Sequence, residues 1–342
     1  MITLLELHQT LAQGNECRAE VAGQIDGLQQ SITQNGKPYF ELELVDGGGS
    51  RLKLRVWQES DAFEFLKGRK KGDFIQARAL FHINTYGVNA RDLELDLLGD
   101  DEKQVVLLGS EEMRRRMEET WNFVTAFFRG LNEPRLRKVA LMALERYERK
   151  WKRAAAARTY HHAYRGGLLL HTAQMLRVAQ AVAPLYPEVM PALLYAGVLF
   201  HDIGKLWEND FEEDSLGVGY SRMGELMGHI VIGVELVNNL WRDARAAEPV
   251  LFDEVHPPSE LLREHLLHLI LSHHGTREFG SPVTPRTPEA WILHHIDNMD
   301  AKVEMLARAY QEKRELAPGI FEVRRPLEGS AILPLTSYPA ES

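Results

Sequence analysis

Between residues 15 and 100 apolar and polar side chains alternate, and beyond residue 100 the apolar ones recur every three or four positions. In the first region Phe40, Leu42 and Leu44 alternate with Tyr39, Glu41 and Glu43, and Leu52, Leu54 and Val56 with Arg51, Lys53 and Arg55. Ile75, Ala77 and Ala79 alternate with Gln76 and Arg78, and Leu93, Leu95 and Leu97 with Asp92, Glu94 and Asp96. A period of two buries one face of a strand and leaves the other wet. Asn35-Gly36, Gly47-Gly48-Gly49 and Tyr86-Gly87 supply turns, and Asp61 to Lys67 predicts a short helix between the third and fourth strands.

Past Gly99-Asp100-Asp101, Met113, Met117, Trp121, Val124 and Phe128 form the stripe of a helix over Glu111 to Leu131. Asn132 and Pro134 predict the start of a second helix through Trp151. Its exposed face is expected to be basic, with Arg135, Arg137, Lys138, Arg146, Arg149, Lys150, Lys152 and Arg153. Residues 160 to 316 read as helical throughout, with Gly166-Gly167, Pro191, Gly228, Ser259 and Thr287-Pro288-Glu289 opening successive helices. The tail after Pro318 receives no predicted fold. The expected architecture is α+β and multidomain.

Five strands with a helix after the third is the order of an OB-like β-barrel, a fold whose face commonly binds single-stranded nucleic acid. Arg51, Lys53 and Arg55 would share one face, with Tyr39, Trp57 and Tyr86 available to stack on bases. The plainer alternative is a solvated face on a small barrel that mediates protein contacts.

Composition narrows the class. Of 342 residues, 44% are hydrophobic and 26% charged, as in an ordinary globular protein. The sequence lacks an 18-residue apolar run, and its first residues lack the basic start and cleavage site of a secretory signal, so a cytoplasmic location and no membrane association are expected. The one cysteine, Cys17, excludes an internal disulfide framework. A net charge of -9 argues against broad adhesion to nucleic acid while leaving room for a local basic track. Histidine is the outlier: of 14, only His8 and His82 lie outside the span from His161 to His295.

Within that span, His201-Asp202 ends the apolar run Leu193 to Phe200, with His171 about thirty residues before it and His229 about thirty after. His273-His274 and Asp297 complete the set. Histidine nitrogens with a shared carboxylate suit manganese, iron, cobalt or zinc better than calcium. The expectation is two divalent cations: one held by His171, His201, Asp202 and Asp297, the other by Asp202, His229 and His273 or His274. Such a pair, about 3.5 to 4 Å apart, activates water and stabilises attacking and leaving oxygens at phosphorus. Asp202 is the expected catalytic carboxylate. Lys205 is either a neutraliser of phosphate charge or an ordinary helix-end lysine. His162 and Arg165 before the first helix, and Arg277 in the loop after His274, are candidate substrate contacts, with Lys302 beside Asp297. His294 is a reserve ligand, and Asp300 is expected to pair with a base such as Lys302.

The order His171, His201-Asp202, His229, His273-His274, Asp297 resembles the HD phosphohydrolase superfamily. The longer pieces are His161-His162-Ala163-Tyr164-Arg165-Gly166-Gly167-Leu168-Leu169-Leu170-His171-Thr172, Leu194-Tyr195-Ala196-Gly197, His201-Asp202-Ile203-Gly204-Lys205, Gly228-His229-Ile230, Leu271-Ser272-His273-His274-Gly275, Gly280-Ser281-Pro282 and Ile296-Asp297-Asn298-Met299-Asp300-Ala301-Lys302. Together they resemble the YhaM-type bacterial 3′-to-5′ exoribonucleases, which join an OB-fold to an HD domain. One departure is Leu170, where that family usually has glutamate before its first metal histidine. The resemblance implies an OB-fold nucleic-acid-binding domain over 1–102, a helical connector over 103–159, an HD domain over 160–316 and a tail over 317–342. It further implies a manganese-favouring hydrolase that shortens single-stranded RNA, and in some members DNA, releasing 5′-mononucleotides; a homo-oligomer is compatible with the sequence. The alternative activity is hydrolysis of small or cyclic nucleotides.

Overall fold

The computed structural model describes residues 1–14, 16–84, 87–157, 162, 164–210, 213–253, 255–312, 315–323 and 325–335. Tyr86 and His161, singled out above, lie outside them. A helix absent from the expectations opens the chain: α1 (Leu4–Ala12) is capped by Thr3, whose hydroxyl and backbone exchange hydrogen bonds with Glu6. Leu4, Leu7 and Leu11 enter the sheet's core. The strands are β1 (Cys17–Ile32), β2 (Pro38–Val45), β3 (Arg51–Trp57), β4 (Phe74–Asn84) and β5 (Gly87–Leu97), with α2 (Asp61–Lys67) in the predicted place. β1 is long enough to serve two partners. Its first half pairs with β4, from Cys17↔Phe81 to Gln24↔Phe74, and its second half with β2, out to Ile32↔Pro38.

All these pairings are antiparallel, in the order β3-β2-β1-β4-β5. The expected barrel is not closed: among the described residues no ladder joins the outer strands β3 and β5. Alternation reports which face of a strand is buried. It carries no information about which edges meet, so closure was beyond its reach.

Helices follow: α3 (Asp100–Leu108), α4 (Glu111–Arg129), α5 (Pro134–Trp151), α6 (Gly167–Val182), α7 (Pro191–Phe200), α8 (Lys205–Glu208), α9 (Arg222–Ala247), α10 (Pro249–Phe252), α11 (Ser259–Ser272) and α12 (Pro288–Glu312). None is long and apolar enough to cross a membrane. Glu133, not Asn132, caps α5, accepting the Leu136 N–H at 2.7 Å. One apolar core runs from Trp121 of α4 through Trp151, Leu169, Phe200, Trp241 and Leu269 to Ile296 of α12. The basic face of α5 is largely neutralised. Arg135 is buried against Glu133 and Ser259, and Arg146, Arg149, Lys152 and Arg153 are paired with carboxylates.

The sheet is fastened to the helices. Val106 and Leu107 of α3 pack with Ala22, Val45, Phe74 and Leu216, while the Gln24 carboxamide oxygen accepts from the Leu216 N–H at 2.7 Å. Two expectations fail beyond residue 200. A small ladder, β6 (Asn209–Asp210) with β7 (Gly219–Tyr220), interrupts the helices. The tail also forms a sheet, β8 (Glu315–Ala317), β9 (Ile320–Glu322) and β10 (Ser330–Ile332), seated on Ala309 through Phe321 and Ala331. Three-residue strands contributing at most one core side chain each are too short to show a period.

Candidate metal centre

Five helical segments bring the histidines and aspartates together. His171 lies on α6, His201 and Asp202 at the C-terminal end of α7, His229 in α9, His273 and His274 at the end of α11, and Asp297 on α12. The ends of α7 and α11 bring the negative end of the helix dipole to the centre, which favours a cation. Gly228 breaks α9 at φ 68, a left-handed backbone open to glycine, and the helix resumes at His229.

The five imidazoles share one orientation. Nδ1 of His171 lies 2.7 Å from Asp300 Oδ2, that of His201 2.9 Å from the Val198 carbonyl, and that of His229 3.0 Å from Glu208 Oε1. Nδ1 of His273 lies 2.8 Å from the Ile270 carbonyl and that of His274 2.7 Å from the Phe279 carbonyl. Carbonyls and carboxylates only accept, so each Nδ1 carries its proton and donates. In the neutral ring each Nε2 then holds a lone pair.

Those lone pairs converge on Asp202. Its Oδ1 is 3.5 Å from His229 Nε2 and 3.7 Å from His273 Nε2; its Oδ2 is 3.3 Å from His201 Nε2 and 2.7 Å from Lys205 Nζ. His171 Nε2 is 3.4 Å from His201 Nε2 and 3.3 Å from Asp297 Oδ1. Asp202 Oδ1, His229 Nε2 and His273 Nε2 are buried without a hydrogen-bond partner. Orphaned acceptors at such close quarters are costly unless a shared positive ion satisfies them. The residues therefore fit a divalent metal. Among the described residues two donor groups meet at the centre, His171, His201 and Asp202 on one side and His229, His273 and His274 on the other; a third, His162, His171 and Asp300, shares His171 with the first.

The electrostatics agree with that use. Burial opposes ionisation of Asp202, but the Lys205 ammonium and the His201 ring hold its carboxyl well below the ordinary carboxylate range. Lys205 is likewise pushed down by burial, and the Asp202 charge more than restores it. Burial, together with the neighbouring His274 and His201, keeps His273 well below an ordinary imidazole. His171 goes the other way: burial opposes its protonation, yet Asp297 and Asp300 raise it to about 9.

Other expected site residues fall elsewhere. His162 is buried, with Nε2 3.2 Å from Asp300 Oδ2 and Nδ1 3.1 Å from the Tyr164 hydroxyl, so it braces the His171 side of the centre. Arg165 donates to the carbonyls of Ser215 and Glu213. Arg277 and Lys302 are exposed. On β3, Arg51 is half-buried and already engaged by Asp26 and Glu43, and Lys53 pairs with Glu43 at 3.3 Å. Arg55 stays exposed beside Tyr39, whose ring lies 5.1 Å from that of Trp57. His294 falls outside the three donor groups, its Nδ1 donating to the His273 carbonyl at 2.8 Å. Asp300 serves His171 and His162, because residues two apart on a helix, such as Asp300 and Lys302, do not face each other. Glu208 is absent from the sequence expectations, and Asp300 enters them only as a partner for a base such as Lys302. Glu208's place one turn beyond Lys205 was the available sign of it. Leu170 brings no carboxylate to His171, which finds one in Asp300 on α12.

Gly204 sets the closeness of α8 and α9: a Cβ there would lie 1.9 Å from the His229 carbonyl oxygen and 2.8 Å from the Gly233 nitrogen. Gly204→Ala is expected to push His229 away from Asp202. Overpacking of this kind costs about 1–3 kcal/mol or more. Denaturant melts should show the loss, with metal uptake reduced; unchanged stability and uptake would contradict the packing described.

Residues 168–302 match the HD domain family, so the helices and their histidine–aspartate centre are those of an HD domain. Similarity extends well beyond it. The chain is 32% identical over 316 residues to the 3′-5′ exoribonuclease YhaM of Geobacillus sp. (strain WCH70), covering 89% of this chain and 90% of that protein. Identity to the protein of the same name from Bacillus subtilis (strain 168) is 31% over 316 residues, 89% of this chain and 92% of the relative. For Listeria welshimeri it is 32% over 311 residues, 86% and 88%. The chain belongs to the YhaM 3′-5′ exoribonuclease family.

Proposed function

We propose that this protein is a metal-dependent 3′-to-5′ exoribonuclease that hydrolyses phosphodiester bonds of single-stranded RNA, with single-stranded DNA as a second substrate, releasing 5′-mononucleotides. The observation that carries the reading is the buried meeting of Asp202 Oδ1 with the Nε2 atoms of His229 and His273, in a chain aligned along most of its length with exoribonucleases. His171, His201, Asp202 and Asp297 would hold one ion; Asp202, His229, His273 and His274 the other. When bound, the cations supply the positive charge that activates a water and neutralises phosphate oxygens. The mixed nitrogen and oxygen donors suit manganese, with iron, cobalt or zinc as substitutes.

The protein's own groups prepare that chemistry. Lys205 stays charged and fixes Asp202 Oδ2 at 2.7 Å, leaving Oδ1 to be shared. The Nδ1 anchors hold each ring with its lone pair inward, so little reorganisation is needed during reaction. The N-terminal sheet, read as a partly open OB-like barrel, would capture the strand on the face carrying Tyr39, Trp57, Lys53 and Arg55. Arg277 and Lys302, exposed on the loop after His274 and on α12, would meet the phosphates near the centre. The single cysteine supports a cytoplasmic enzyme.

The test is a 5′-labelled single-stranded RNA, a duplex and a nucleotide panel offered to the manganese-loaded protein. The reading expects a ladder from the single strand; turnover of nucleotides alone would replace it with a small-molecule phosphohydrolase. Stacking on an aromatic ring contributes about 1–3 kcal/mol per base. Trp57→Ala should therefore weaken capture of long strands by that amount in filter binding while leaving dinucleotide hydrolysis unchanged. Equal losses on both substrates would remove the sheet from strand capture.

A further inference from the structure

We propose that each ion position is tuned by a carboxylate of its own, Asp300 acting through His171 at one and Glu208 acting through His229 at the other, so that the two ions can be weakened separately. The inference rests on the two-ion reading above. Of the five inward-facing imidazoles, His201, His273 and His274 hang from backbone carbonyls, and His171 and His229 from carboxylates. The two carboxylate-backed rings fall one in each donor group. A carboxylate behind a metal-binding imidazole fixes its tautomer and makes Nε2 a stronger donor than a carbonyl does.

Each carboxylate is itself built into place. Glu208 Oε1 accepts from both the backbone N–H and Nδ1 of His229, each at 3.0 Å. The backbone donor is available because Gly228 interrupts α9 just before it. Asp300 Oδ2 accepts a hydrogen bond from His171 Nδ1–H at 2.7 Å and faces Nε2 of His162 at 3.2 Å. Burial pushes the Tyr164 phenol up to about 12, so its hydroxyl stays protonated and donates to His162 Nδ1, which turns the His162 Nε2–H toward Asp300. His162 holds a left-handed backbone at φ 45, a conformation uncommon outside glycine and retained here with the ring wedged between Tyr164 and Asp300. Asp300 and Glu208 thus act through the histidines as positioning residues.

The experiment titrates Mn2+ into metal-stripped protein, reading free Mn2+ by electron paramagnetic resonance, for wild type, Glu208→Gln, Asp300→Asn and the double variant. Wild type is expected to bind two ions per chain. Each single variant should lose about 10- to 100-fold affinity for one ion and keep the other unchanged, and the double variant should weaken both. Glu208→Asp should recover part of the loss, which a role in folding alone would not predict. Circular dichroism of the stripped proteins identifies any variant that fails to fold; for such a position Glu208→Asp or Asp300→Glu carries the same titration. Two wild-type ions with neither, or both equally, weakened by a single variant would overturn the inference. A wild type that binds one ion would instead overturn the two-ion reading beneath it.

Discussion

Asp202→Ala is expected to abolish hydrolysis of single-stranded RNA while leaving strand capture nearly intact. Among the described residues the Asp202 carboxylate faces both donor groups, with Oδ2 near His201 and Oδ1 near His229 and His273. Its removal separates the two halves of the centre and also leaves the largely buried Lys205 ammonium without its counter-charge. An uncompensated buried charge costs about 3–5 kcal/mol. Loss of activity alone would therefore confuse lost chemistry with lost folding. The double variant Asp202→Ala with Lys205→Met removes both charges; it should regain most of the stability in a denaturant melt and none of the hydrolysis. An active single variant, or a double variant with restored activity, would refute the bridging role.

Metal removal should reverse the direction in which stability responds to pH between 6.5 and 9. In the metal-free protein His171 is raised from 6.5 to about 9, so the folded state binds its proton more tightly than the unfolded chain does. The sign follows. This contribution is fully present below pH 6.5 and is lost as pH rises through about 9, a change of about 3 kcal/mol at 1.36 kcal/mol per unit. His273 and His274 are lowered and the metal-site aspartates are depressed; their contributions are present at higher pH and lost as pH falls below 6.5, outside that window. In the loaded protein the same proton competes with a cation for Nε2 of His171. Raising pH there strengthens metal binding and hence stability, each ion present at a hundred times its dissociation constant contributing about 2.7 kcal/mol in total. Melting temperatures across pH 6.5 to 9, with chelator and with manganese, should slope downward and upward respectively. Parallel slopes would place His171 outside the metal site.

The residues that converge on Asp202 were legible because they sit where local chemistry shows. His201 and His273 end apolar helices, His229 follows a glycine that breaks one, and the strand face with Arg55 and Trp57 alternates cleanly. What escaped depends on contacts between distant segments. Asp300 shares a face of α12 with Asp297, but its partner His171 stands on α6, 129 residues earlier. Glu208 matters because α9 restarts beside it, an event of backbone geometry that side-chain periodicity does not register. Arg51 read as a free base on an exposed strand, and only the fold reveals Asp26 arriving from β1 to engage it. The absence of a ladder between β3 and β5 belongs to the same class, since edges meet through chain path and not through pattern.

The most direct measurement is anomalous scattering from crystals of the protein grown with manganese. Two peaks are expected, one among His171, His201 and Asp297 and one among His229, His273 and His274, with the Asp202 carboxylate between them. Peaks elsewhere, or none touching Asp202, would contradict a shared centre.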